Sequence, residues 1–407
     1  MSEDWWYQRG DQKYGPVSSA ELQALRLTGF INGENEVWRN GYVDWVPLAI
    51  AHVDTSEVID EVAFNRDRFT RQAGVGRSVL NFLRDSLGID SEWMIEEPMG
   101  FTWWPYRLTQ RIWAEPLPSQ ELSMVCVIAE TPILTKVKNL EKAGAVVNAL
   151  NKFASLNTYV WNQETGRLSV RCSALMTEEN VGWLRSFLFG AVGIQVADAH
   201  VKADQELASL LWTDTEPSFH PTQGPRKMAA EILSIVESVF VPDGCKESPF
   251  TRADFSELQL MTPSPSTMTN SSETGATAEF PFYGQEPALL RWLKRRSGVT
   301  SALLQIESRI RHPQLGSGAL LKLTLPLNIS EERGREIALE LNLAETKERT
   351  WCHGFGAWCT DHSIKESIAY VMFIPAVLYR PRILQPFFWH MAARTKWVRQ
   401  YLSQRRL

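Results

Sequence analysis

The chain has 407 residues, enough for about two to four domains. Hydrophobic residues at 44% and charged residues at 22% exclude wholesale disorder and fibrous repeats, and a net charge of −5 excludes a chain built mainly to neutralise a nucleic-acid backbone. Five widely spaced cysteines are too few, and odd in number, for a disulfide scaffold; they fit a reducing compartment.

Met1–Asp4 carries two acids and no base, the opposite of a secretory leader. The longest apolar stretch, Ile368 to Tyr379, contains Pro375 and falls short of the roughly 20 residues a bilayer-spanning helix needs. We therefore expect a soluble, cytoplasmic protein. Tryptophan is abundant, 16 of 407 residues, which fits either aromatic binding surfaces or several small cores that each need large side chains.

Along the chain, Trp5-Trp6-Tyr7 reads as a strand, and the segment from Asp11 to Pro16 as a turn. Ser18 with Glu21 three residues on forms a capping box, Leu22 and Leu25 continue that helix, and Gly29 ends it. Glu36–Arg39 is a strand closed by the Asn40-Gly41 turn. Residues 54–92 read as a linker and a docking helix with apolar positions Val79, Leu80, Leu83 and Leu87. The aromatic run from Phe101 to Tyr106, with Trp113, reads as a loop laid over a core.

Residues 93–212 form a unit with a strand over Glu121–Glu130, a helix over Leu134–Phe153, strands at Thr158–Trp161 and Arg167–Ala174, and a long helical pattern over Glu178–Leu211. Residues 213–281 hold a helix near Arg226–Val239 and then Met261–Ala278, a Ser/Thr/Pro-rich stretch that reads as a flexible linker. Residues 282–407 repeat the order strand, helix, strand, strand, helix: Ala319–Leu327, Ser330–Leu343, Gly354–Cys359, Ser367–Pro375 and Ile383–Leu402. Asn157 then Cys172 in the first unit, and Asn342 then Cys359 in the second, are matching landmarks. We read an internal duplication.

The landmarks Trp5-Trp6-Tyr7, Gly15-Pro16-Val17, the helix after them, Trp38 to Val43 and Trp45 make residues 1–53 resemble the GYF domain, more closely its bacterial variant. That resemblance implies binding of proline-rich peptides on an aromatic surface, where a stiff polyproline II ligand loses little entropy. It implies Tyr7, Tyr14, Trp38, Tyr42 and Trp45 as peptide contacts. The family's eukaryotic members carry Phe where this chain has Val17 and Val43, which implies a shallower pocket. The second reading of this module is a packing element that docks on its own chain or an oligomer partner.

By element order and terminal-helix landmarks, the duplicated units resemble the type III secretion chaperone-like fold of bacterial YbjN-type proteins. The implied fold class is α+β: a small GYF-like domain, then two α/β sandwich units of antiparallel sheet packed with helices. The implied role is partner binding without catalysis.

The chain has no Gly-rich phosphate loop, GxSxG, HExxH or DxD signature, and we expect no enzyme and no cofactor. Cys352, His353, Cys359 and His362 have zinc-type side chains, but adjacent Cys352 and His353 point to opposite faces of a strand; buried cysteines and surface histidines are the expected reading. The acidic pairs Glu96-Glu97, Glu178-Glu179 and Glu331-Glu332 read as solvated. From Ser367 to Leu407 there are seven basic residues and no acid, which against a total of −5 leaves −12 on residues 1–366. Arg394, Lys396, Arg399, Arg405 and Arg406 then form a basic, aromatic helical surface. Its partner is the acidic remainder of the chain, an acidic protein, nucleic acid or an anionic membrane. The function expected is a peptide-binding adaptor or chaperone-like scaffold for a partner polypeptide, compatible with a homo-oligomer; the alternative is a nucleic-acid- or membrane-binding protein using that helix.

Overall fold

A computed structural model describes residues 4–9, 12–51, 53, 59–117, 124–137, 140–202, 207–211, 214–215, 219–226, 248–260, 268–282, 301–327, 329–347, 352–360 and 367–405. Beyond Arg226, the helix expected near Arg226–Val239 lies outside these residues, as do His362 and Arg406. The chain is mixed α and β with antiparallel sheets, and it divides into two compact units. The first comprises Met1–Trp103, Arg111–Ile128 and Leu175–Arg185; the second comprises Trp104–Gln110, Ala129–Ala174 and Ser186–Leu407.

The first sheet is built from β1 (Trp5–Arg9), β2 (Gln12–Val17), β3 (Glu36–Arg39) and β4 (Val46–Pro47), in the order β2-β1-β3-β4. Helix α1 (Ser19–Leu27) follows β2 and starts with the expected box: the Glu21 amide donates to Ser18 Oγ at 3.1 Å, and the Ser18 amide donates to Glu21 Oε2 at 3.1 Å. Helix α2 (Ile59–Ser86) packs on α1, with Phe69 edge-on to Phe30 at 6.1 Å. Arg77 donates to the carbonyl of Thr28 at 2.7 Å, and buried Arg68 reaches Glu21 at 3.1 Å. Val79, Leu80, Leu83 and Leu87 are all buried, as their spacing predicts. The GYF-like segment and this helix belong to one compact unit.

A seven-stranded sheet follows. Its strands are β5 (Met94–Glu97), β6 (Gly100–Trp103), β7 (Gln110–Pro116), β8 (Val125–Thr135), β9 (Thr158–Asn162) and β10 (Arg167–Met176), ordered β5-β6-β7-β8-β10-β9, with β11 (Asp214–Thr215) on β8. Helix α3 (Leu140–Lys152) joins β8 to β9, α4 (Val181–Lys202) follows β10, and a short α5 (Ala208–Leu211) precedes β11. The aromatic run expected as a loop is strand β6 and its continuation. Phe101 and Trp103 are the alternate residues of β6 that enter the core, and Trp104 after it and Trp113 on β7 are buried too.

The third sheet has the same plan. After α6 (Arg252–Leu260) come β12 (Met268–Ser271), β13 (Gly275–Pro281), β14 (Ser301–Glu307), β15 (Arg311–His312), β16 (Gly316–Pro326), α7 (Glu331–Lys347), β17 (Ala357–Thr360), β18 (Ser367–Pro375) and α8 (Leu384–Gln404). Their order, β12-β13-β14-β16-β18-β17, is that of the second sheet position by position. One boundary needs correction. Met261–Ala278 is not a linker throughout, since β12 and most of β13 fall inside it. Small residues suffice there: Ala276, Ala278 and Phe280 point inward, while β14 supplies the ladder from Gly275↔Glu307 to Pro281↔Ser301.

The landmarks that suggested duplication are also corrected. Asn342 lies in α7 but Asn157 lies before β9, and Cys172 is on β10 while Cys359 is on β17. The residues that do correspond are Asn151 and Asn342. Each clamps the backbone of an outermost strand with its amide: Asn151 bonds the Tyr159 N–H (2.9 Å) and carbonyl (3.0 Å), and Asn342 bonds the Trp358 N–H (2.8 Å) and carbonyl (2.9 Å). These bonds satisfy edge groups that water or another strand would otherwise take.

Candidate functional site

Strand register decides what the five expected peptide contacts can do. In β1, Trp5, Tyr7 and Arg9 are buried while Trp6 and Gln8 are half-buried on the opposite face. Pairing carries that alternation to the neighbours: Tyr7 faces Tyr14 and Val37, whereas Trp6 faces Trp38 and Gln8 faces Lys13. The five residues therefore do not form one surface.

Tyr7 and Tyr14 stack at 5.1 Å on the inner face. Tyr14 donates from its hydroxyl to Glu115, a buried carboxylate on β7 that also takes the Trp113 indole N–H. Arg9 is buried beside them and donates to the carbonyls of Ala114 (2.7 Å) and Met99 (3.2 Å). This face is the module's attachment within the first unit. Trp5 is core, its indole bonded to Ser19 Oγ at 2.9 Å, with the Arg39 guanidinium 4.8 Å from its ring and 5.1 Å from that of Tyr42. Tyr42 is half-buried and sits edge-on to the buried Trp5 at 5.8 Å.

The outer face is different. Trp6, Trp38 and Trp45 are each half-buried. The pairs Val37↔Val46 and Glu36↔Pro47, continued by one residue, set Trp45 opposite Trp38. The Trp38 indole N–H is held by the Tyr42 carbonyl at 3.0 Å, which fixes its ring at the β3–β4 loop. Gly15, with φ +142°, lies against Trp6; a Cβ there would sit 2.9 Å from the indole ring. Three flat indoles on a solvent-facing sheet are what stacking on a stiff, apolar peptide requires. Residues 5–50 match the family model for GYF domain 2. No curated protein and no solved structure matches the chain. The GYF module's outer face thus contains Trp6, which the sequence pattern marked as a landmark and not as a contact. Only the pairing Trp6↔Trp38 brings it in. Val17 is half-buried opposite Trp5, and Val43 is 96% exposed at the loop tip.

The basic C-terminal surface is reshaped by the fold. Arg394 is 1% exposed, so it is no partner contact. Its guanidinium holds Glu345 of α7 through Nε (2.7 Å) and Nη2 (3.1 Å), bonds the His353 carbonyl at 2.8 Å, and lies 3.7 Å from the Tyr370 ring centroid. Arg405 pairs with Glu340 at 3.3 Å, and Arg382 with Glu257 at 3.6 Å. Lys396 is exposed and Arg399 half-buried on α8.

Cys352 and His353 join this interior cluster instead of lining a metal site. The Cys352 thiol donates to the His390 carbonyl at 3.4 Å, and burial pushes its pKa up to about 12. His353 is buried too; burial first, then His390 with its ring 3.9 Å away and Arg394, holds its pKa well below the ordinary value. The expectation of a surface histidine is corrected here: its ring packs among Phe355 and Phe387. Among the described residues there is no group of three or more His, Cys, Asp or Glu able to hold a metal ion. No helix of the described residues is long and apolar enough to cross a membrane.

Proposed function

We propose that the chain is a non-catalytic protein-binding adaptor whose GYF module takes a peptide on Trp6, Trp38 and Trp45. The observation that carries this reading is the alternation across β1: one face is consumed in docking, while the other presents three indoles. The two seven-stranded sheets, alike in strand order, are read as copies of one chaperone-like unit that hold a partner polypeptide. None of the four described cysteines is joined in a disulfide, which fits the reducing, cytoplasmic setting of this reading.

The test is titration calorimetry of the full chain with a ten-residue proline peptide. Trp38→Ala and Trp6→Ala lose the binding, while Tyr14→Phe, altered only on the inner face, keeps it. Equal loss in all three would return the whole sheet to a packing role.

A further inference from the structure

The outer face is not simply open. Lys13 stands on β2 and Trp45 immediately before β4, at the two edges of the sheet ordered β2-β1-β3-β4. Three strand spacings separate those edges, roughly 14 Å. Yet the Lys13 ammonium lies 4.8 Å from the centroid of the Trp45 ring. Lys13 shares its face with Gln8, and hence with Trp6; Trp45 shares its face with Trp38. Both side chains therefore reach inward from opposite edges, over the two strands that carry Trp6 and Trp38.

We propose that the cation–π contact between Lys13 and Trp45 is a strap across the tryptophan face, which a ligand must part to stack on Trp6 and Trp38. This rests on the peptide-binding reading above and adds a closure to the same site. The strap holds without locking, since Lys13 is exposed and its stem flexible. Its removal raises ligand affinity by about 2- to 5-fold, the factor that an exposed contact of this kind carries. Glu36 lies on the same face, opposite Gln8, so charge and closure need separate variants.

The experiment uses the full chain, a ten-residue proline peptide, and the variants Lys13→Met and Lys13→Arg. Lys13→Met keeps the stem and drops the cation; Lys13→Arg keeps a cation over the ring. The strap predicts that Lys13→Met binds about 2- to 5-fold more tightly and that Lys13→Arg binds no tighter than the parent. In the peptide-free protein, the Trp45 indole N–H resonance, assigned by its loss in Trp45→Phe, shifts in Lys13→Met alone. A parent that binds the peptide beside a Lys13→Met variant of equal or weaker affinity overturns the strap and leaves the tryptophan face standing. If neither the parent nor the variants bind, the reading of the face falls and the strap falls with it.

Discussion

Replacing Arg394 separates the surface expected from the C-terminal sequence from the interior found in the fold. The side chain is 1% exposed and that of Glu345 is 11% exposed, so the pair is nearly dry. Arg394→Met removes the cation and three hydrogen bonds while leaving the Glu345 charge in place, with the Trp358 indole N–H still donating to it at 2.9 Å. Breaking a buried pair from one side costs about 3–5 kcal/mol, a large part of the roughly 5–15 kcal/mol that holds a domain folded. Arg394→Met with Glu345→Leu removes both charges, and a large share of the loss returns, because the desolvation of the lone carboxylate disappears with it. The assay is urea unfolding followed by Trp fluorescence, with the midpoint compared among parent, single and double variants. A single variant within about 0.5 kcal/mol of the parent would refute the burial argument, since that is the range of surface substitutions.

Stability depends on pH through His353. Its folded pKa is depressed by burial, His390 and Arg394, so the unfolded chain binds the proton first as pH falls. The stability it contributes is present above about 6.5 and declines below it, by at most about 1.4 kcal/mol per pH unit, until the folded value is reached. His353→Gln should flatten that acid slope by about one proton, and an unchanged slope counts against the assignment. Asn342→Ala removes the partner of the Trp358 amide and carbonyl and should cost about 1–3 kcal/mol, with faster hydrogen exchange at Trp358; Asn151→Ala should do the same at Tyr159. Gly318→Ala would place a Cβ 2.2 Å from the Ile374 carbonyl oxygen and 2.6 Å from the Phe373 ring, forcing β16 from β18. A loss of about 1–3 kcal/mol is expected, and an unchanged melting temperature would contradict it.

Local signals were legible in the sequence wherever one residue type sets one geometry. The Ser18–Glu21 box, the Gly29 stop and the 3.6-residue spacing of Val79, Leu83 and Leu87 all appear where they were expected. Strands β5 to β7 were missed, because β5 and β6 are only four residues each and the tryptophans of β6 and β7 enter a core from a pattern too short and too aromatic to show alternation. The strand character of Gly275–Pro281 was hidden by small residues, whose pairing is decided by β14 and not by their own propensity. The same limit governs the candidate site. Composition located the aromatic residues, but which face each occupies depends on register, and a shift of one residue would exchange the two sets. Arg394 was misread for a related reason: its spacing on α8 is that of an interior position, and partners distant in sequence, Glu345 49 residues earlier with the His353 carbonyl and the Tyr370 ring, make a cation tolerable there.

The strongest consequence of that register is that one four-residue stretch serves two roles with opposite demands. Trp6 must stay accessible, while Tyr7 and Arg9 must be dry and bonded. Because the strand is anchored through Arg9 to Ala114 and Met99, the indole face is held by interior contacts and not by a flexible tether. A ligand then meets a face whose backbone is already ordered, and the entropy charged to binding falls mainly on the peptide and on Lys13. This separates the module from one strung on a linker, where affinity for a second site would follow linker length. Lengthening the segment between Val53 and Ile59 with Gly and Ser should accordingly leave peptide affinity unchanged, whereas Arg9→Ala, which frees the inner face, should weaken it. The opposite ranking in calorimetry would show that the module acts as a detached bead.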